Sequence, residues 1–273
     1  GAGSLIQGGG HVAINRYLSL NDGATMTYGL GDSVGRSIFV GGGGTLTLDQ
    51  DLLLTETLGV SGNSSFIAAG HHYSVGYLVV SDQAAVTYGP GDTIATGVVV
   101  GSAGSLTLAR NLDIGGVLNV QSGGTLLRTT ETISANSFDI RDATLDIRAT
   151  DTFNPMGLSY VKEGGVVNAA AGSNLGQVWV YGVNGANAPA TLDVNGNTTA
   201  VDIRAYSSGV VNLASGTLST DYLSLWGAGA LAQNGGHYAV GTGWLGVYDG
   251  AAVTYGPGDS VAQSIYVANG GSL

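Results

Sequence analysis

The chain contains no cysteine, and its one lysine, Lys162, stands beside seven arginines. Without cysteine there is no disulfide and no thiolate metal site. Eight basic residues in 273, against a formal net charge of −11, leave no basic stripe for a nucleic-acid partner. Charged residues reach only 10%, where ~25% is ordinary, and proline occurs four times. No apolar run approaches the ~18 residues that span a bilayer. No charged start followed by an apolar segment has the form of a signal peptide. Glycine is what the chain has in excess, 48 of 273 residues. An interior glycine costs a helix ~1 kcal/mol relative to alanine, so this composition fits long helices badly. Hydrophobic content of 44% and a small net charge per residue argue for a folded chain rather than disorder.

Repetition organises the sequence. GAGSLIQGGGHVAINRYLSLNDGATMTYGLGDSVGRSIFVGGGGTLTL (1–48) recurs at 61–108 and, with one insertion, at 227–273. A shorter period of 20 lies beneath it. One apolar column runs Leu18, Ile38, Leu58, Leu78, Val98, Leu118, Phe138, Leu158 and Val178; a second runs Leu20, Val40, Val60, Val80, Val100, Val120, Ile140, Tyr160 and Val180. A third holds Ile6, Met26, Leu46, Phe66, Val86, Leu106, Leu126 and Val166, with Asp146 as its exception. A fourth starts apolar, from Ile14 and Val34 to Ile94 and Ile114, but takes in Ser74, Ser134, Asn154 and Asn174. Beyond residue 180 the paired columns continue as Val201 and Ile203, Leu223 and Leu225, Leu245 and Val247, Ile265 and Val267. Slips of two or three residues there suit bulges or longer corners.

Within each row the apolar residues stand two apart, which is strand spacing. Thr, Val, Ile and Tyr populate these stretches, and GAGS, NDGA, GGGG, SGNS and SDQA separate them with residues suited to tight corners. The longest stretch without Gly or Pro, 125–154, still alternates apolar and polar, so it too is expected as strand. In-phase rows of short strands must stack like columns on one another. The expected fold is all-β, a right-handed single-stranded parallel β-helix of about 20 residues per coil and about 13 coils. A lone coil buries too little to offset its ordering, so stability has to come from neighbours. Residues 1–273 are expected to be one continuous solenoid segment of a larger repeat protein, regular over 1–180, with longer coils over 181–247, and regular again over 248–273.

Phrases such as GGGGTLTL, GVLNVQSGGTLL and GVVNLASGTLSTDYLSL resemble the passenger domains of bacterial autotransporters and the filamentous-haemagglutinin-like adhesins of two-partner secretion. The resemblance covers the whole chain and rests on repeat style. It implies export through an outer membrane and an extracellular or cell-surface location.

The sharpest local motif is the Tyr-Gly-x-Gly-Asp corner at Tyr28–Asp32, Tyr88–Asp92 and Tyr255–Asp259. Calcium-binding arrays repeat their glycine–aspartate turns in tandem, whereas this corner returns every third coil. Asp32, Asp92 and Asp259 are therefore expected to accept hydrogen bonds from corner amides. His11, His71 and His237 fall at one place in the three copies, with His72 an extra, and are expected to be solvated or corner-packed. Tyr28, Tyr88 and Tyr255 are expected to cover the glycines of neighbouring coils rather than stack on sugars. Asp139, Asp142, Asp146 and Asp151 with Arg141 and Arg148 form the one dense charged patch, where a glycosidase pair would have to be sought. A ladder of Thr25, Thr27, Thr45, Thr47, Thr87 and Thr107, interrupted at Ser65 and Ile67 and weakened at Ala85, offers a hydroxyl face of the kind that could bind ice.

Taken together, the expected role is a non-catalytic structural or adhesive stalk. No catalytic residue, metal ligand or cofactor is assigned, and the expected partners are neighbouring repeats and surface glycans or proteins. The alternatives are a head-to-tail filament subunit (Gly1–Leu5 and Asn269–Leu273 share a phase), a polysaccharide-active enzyme and an ice-binding face. Functional elaboration is expected in the out-of-phase insertion 181–200.

Overall fold

Apolar residues two apart, followed by a turn-forming tetrad, dictate the local structure of every coil. The computed structural model describes residues 10–182 and 188–273. Among these no residue is helical, and the paired strands run parallel. Both compact units, residues 1–131 and 132–273, are β-solenoids, with about 13 turns in all and successive strands about 20 residues apart.

Residues 37–54 show one coil of the first unit. Ser37–Val40 is a strand, a tight turn follows at 41–44, Thr45–Leu48 is the second strand, and the short Leu52–Leu53 is the third. The next coil repeats this in register: Ile38 pairs with Leu58, Val40 with Val60, Leu46 with Phe66. Ile38, Leu58, Leu78, Val98 and Leu118 are completely buried, which places the core inside the coils. The turns stack as well. Gly44, Ala84 and Gly104 each close a turn on the carbonyl three residues earlier, at 2.8–3.0 Å. The two central residues of each turn are left-handed, for example Asp82 and Gln83 (φ 52° and 68°) or Ser102 and Ala103 (48° and 59°). That backbone aims the second amide at the next coil, as in Gln83 N–H to Ser102 O at 3.2 Å and Ala103 N–H to Ser122 O at 3.1 Å.

The second unit is built the same way. Leu158–Lys162, Gln177–Tyr181, the second half of Thr198–Tyr206, the second half of Thr217–Trp226, Trp244–Tyr248 and Ser264–Ala268 form one face. Thr144–Ile147, Val166–Ala170, Thr191–Asn195, Val210–Ser215 and Ala230–Gln233 form another. Most of the described part of the insertion 181–200 is thus ordinary ladder. Thr191–Asn195 pairs with Val166–Ala170, and the strand starting at Thr198 follows directly, while residues 183–187 and the Gly1–Leu5 phase match lie outside the described residues.

The strict period of 20 fails at particular rows, and each failure flips side chains between faces. Asp139 pairs with Tyr160 and Ile140 with Val161, so Ser159 and Val161 point inward, both fully buried, and Leu158 and Tyr160 point outward. The polar members of the third and fourth columns have the same cause. Leu145 and Ile147 flank Asp146 and are the buried pair; Val75, Phe153 and Leu175 take the inward places beside Ser74, Asn154 and Asn174, and Ile133 with Ala135 takes it around Ser134. After residue 180 the inward pair is Ile203 and Ala205, which pair with Val178 and Val180; Val201 is only half-buried.

Candidate functional site

The corner aspartates are backbone clamps. Asp92 Oδ2 accepts the Gly89 N–H at 2.7 Å, within its own corner, and Oδ1 accepts the Tyr73 N–H at 3.0 Å, one coil earlier. Asp32 holds Gly29 and Val12 at 2.9 and 2.8 Å, and Asp259 holds Gly256 and Tyr238 at 2.8 and 3.1 Å. Asp151 does the same with Arg148 and Ile133, both at 2.8 Å, although no Tyr-Gly-x-Gly precedes it. What recurs is an aspartate accepting from the amide three residues before it, a spacing that the glycine motif concealed. The outer carbonyl of the corner is capped in turn, Asp32 O by Gln50 Nε2 at 2.9 Å and Asp92 O by Arg110 at 3.1 Å. Burial pushes the Asp92 carboxyl above its ordinary range, against the opposing pull of the two amides.

The equivalent imidazoles are His11, His72 and His237. Each precedes the residue whose amide the corner aspartate holds, and each lies against the corner glycine, Gly31, Gly91 or Gly258. His71 occupies the extra position and faces Asp51, at 3.7 Å. Tyr28 and Tyr88 do not cover glycines. They are core residues, while Tyr255 is half exposed. The tyrosine and phenylalanine rings that do lie over glycines include Phe39 over Gly59, Tyr77 over Gly97, Tyr222 over Gly243 and Tyr248 over Gly246.

The charged patch is divided among different partners. Asp139 pairs with Lys162 at 2.8 Å and Arg141 with Glu163 at 3.1 Å, on the strand 137–141. The Asp142 amide donates to Glu163 O at 3.1 Å in the turn. Asp146 belongs to the other sheet, where it accepts from Asn168 at 2.7 Å and begins a polar ladder that continues with Asn212 to Asp193 and Asn234 to Asn212. Among the described residues no group of three or more His, Asp or Glu is placed to hold a metal ion.

Two outward columns in the first unit carry the threonines. One runs Thr25, Thr45, Ser65, Ala85, Ser105, Thr125, the other Thr27, Thr47, Ile67, Thr87, Thr107, Leu127. The face is uncharged, and its hydroxyls alternate with the buried Met26, Leu46, Val86 and Leu106.

The feature with the most chemistry is an aromatic face in the second unit, which holds all three tryptophans. Tyr181, Tyr206, Trp226 and Tyr248 occupy one register column. Tyr181–Tyr206 and Tyr206–Trp226 stack at 4.7 Å, with interplanar angles of 8° and 9°, and Trp226–Tyr248 at 5.0 Å and 20°. Beside it stand Tyr160 and Trp179, edge-on at 6.0 Å, and Arg204, whose guanidinium lies over Trp179 at 5.0 Å and bonds Asp202 at 2.7 Å. Strand pairing dictates the stack: parallel neighbours are ~4.8 Å apart, close to the separation at which rings stack. A cleft of about 390 Å³ opens at its Tyr181 end, lined by Tyr160, Lys162, Glu163, Tyr181 and Gly182. A second cleft of about 400 Å³ has small side chains such as Ser219, Ala239 and Ser260, and its Asp221 accepts from Thr242 at 2.8 Å.

Sequence reasoning missed this face. Its signal was an aromatic residue just before each corner, in VYG, AYSSG, LWGAG and VYDG. Comparison of the chain with protein-family models, with curated proteins and with solved structures gives no match in any of the three.

Proposed function

We propose that this chain is a structural and adhesive solenoid segment of an exported bacterial surface protein and that it is not an enzyme. The observation that carries this reading is how its carboxylates are used. Asp32, Asp92, Asp151 and Asp259 spend one oxygen on an amide of their own corner and the other on an amide of the coil before, and Asp139, Glu163 and Asp193 bond side chains of a neighbouring strand or turn. A catalytic acid needs a proton to exchange with substrate. Carboxylates placed in this way serve cohesion. Repeat style supports export and surface display. The test is antibody labelling of intact source cells, with a strain in which residues 1–273 are deleted. Surface labelling together with weaker attachment of the deletion strain is the expected result. Labelling confined to the cell interior overturns display. Turnover of acidic or neutral glycans that Asp142→Asn or Asp146→Asn abolishes overturns the non-catalytic role.

The threonine columns favour a second reading for the first unit. Two rows rich in hydroxyls and broken at Ala85, Ile67 and Leu127, one strand spacing (~4.8 Å) apart along a row and two residues (~6.6 Å) apart between rows, give a regular spacing suited to ordered water. Inhibition of ice recrystallisation that Thr87→Lys removes is the result this reading requires. Absence of inhibition in the unaltered protein retires it.

A further inference from the structure

The ring stack ends where lysine replaces an aromatic residue. The register position next to Tyr181 belongs to Lys162, but its ammonium is drawn sideways, to Asp139 at 2.8 Å and over the Tyr160 ring at 4.0 Å. Tyr160 itself meets Tyr181 only at 6.2 Å and a tilt of 35°, against 4.7 Å and 8° for Tyr206 on the other side. Among the described residues, one face of Tyr181 is thus stacked and the other turns to the cleft of about 390 Å³. The polar rim is charged but balanced, because Lys162 is paired with Asp139 and Glu163 with Arg141.

We propose that this cleft binds a neutral oligosaccharide, with one hexopyranose ring against the free face of Tyr181 and its hydroxyls bonded to Lys162 and Glu163. A pyranose offers a C–H face to an aromatic ring and hydroxyls that both donate and accept, which is what a ring bordered by one ammonium and one carboxylate can satisfy. The volume lies near the lower end of the ~300–1,000 Å³ usual for small-ligand sites, enough for one or two sugar rings rather than a long chain. An anionic glycan would have to compete with Asp139 for Lys162 and approach a chain of net charge −11. The inference deepens the adhesive reading above and rests on it.

The experiment titrates the purified full chain with cello-, malto-, manno- and galactohexaose, and with polygalacturonate, by calorimetry and tryptophan fluorescence. The same titration is run on Tyr181→Ala, on Glu163→Gln, and on Tyr248→Ala at the far end of the stack, each checked for folding by circular dichroism. We expect saturable binding of at least one neutral hexaose, about tenfold weaker in Tyr181→Ala and within about twofold of the parent in Tyr248→Ala. Glu163→Gln, a substitution at a half-exposed side chain, is expected to keep the fold and to weaken binding even where Tyr181→Ala fails to fold. No binding of any neutral hexaose, tighter binding of polygalacturonate, equal weakening by the two tyrosine variants, or unchanged binding in Glu163→Gln overturns the inference. Those outcomes leave surface labelling untouched, so failure of the ligand and failure of display are told apart.

Discussion

Asp92 is buried because it must reach an amide on the coil before it, and the burial that lets it do so penalises its charge. Asparagine at this position keeps one accepting oxygen and sets an NH₂ group against the other amide. Asp92→Asn should therefore cost about 1–3 kcal/mol, measured by urea unfolding at pH 7. The pH dependence follows from the raised native pKa. Protonation of Asp92 adds stability fully below the unfolded value of ~4, and this addition is lost as pH rises through the native value. The deficit of Asp92→Asn relative to the parent should accordingly shrink as pH is raised from 4 through the native value; a deficit that grows contradicts the raised pKa. Gln83 presents a different residue-scale case. Its φ of 68° puts a side chain in left-handed backbone, which costs non-glycine residues ~1–2 kcal/mol. Gln83→Gly retains the amide that bonds Ser102 O and should raise the melting temperature, though by less than that full cost, since glycine also loosens the unfolded chain.

At the level of elements, the aromatic stack is a product of strand pairing, and it should behave as a unit. Tyr206 has a parallel ring on each side, each pair contributing about 0.5–1.5 kcal/mol beyond simple burial. Tyr206→Ala should therefore destabilise the second unit by about 2–4 kcal/mol once lost area is included. Tyr266→Ala, with one edge contact at 6.2 Å and half its surface exposed, should change stability by less than about 1 kcal/mol. Trp179 runs the other way. Its indole Nε1 is buried without a partner, so Trp179→Phe removes an unsatisfied donor and should leave stability within about 1 kcal/mol of the parent by the same unfolding measurement. These elements also show which parts of the structure can be read from sequence. The columns through Ile38, Leu58 and Leu78 were legible because every inward place from Leu18 to Phe138 held an apolar residue and the turns between them were built of corner formers. The row at 158–162 was not, because Leu158 and Tyr160 satisfy an apolar column although they face outward. The true inward residue, Ser159, looks polar, and it is buried because its Oγ accepts the Phe138 N–H at 3.1 Å. The cleft was hidden for a related reason. Lys162, Tyr160 and Tyr181 meet only once that one-residue slip is known, and the members of the stack recur at unequal intervals.

Over the whole molecule, the same arithmetic that makes a single coil unstable makes each unit cooperative. Leu58 is fully buried and stands in register between Ile38 and Leu78, so its contacts are mostly to other coils. Free energy in such an array is a sum over neighbouring layers, and weakening one layer lowers the cost of opening the layers that lean on it. Truncating Leu58 to alanine leaves a cavity between stacked side chains, with an expected loss of about 2–5 kcal/mol. The loss should not be local. Amide hydrogen exchange in Leu58→Ala should speed up in Ser37–Val40 and Tyr73–Val80 as well as in Thr57–Val60. Protection lost in Thr57–Val60 alone would mean that coils hold themselves together, and the stacked columns would then describe geometry without carrying the stability.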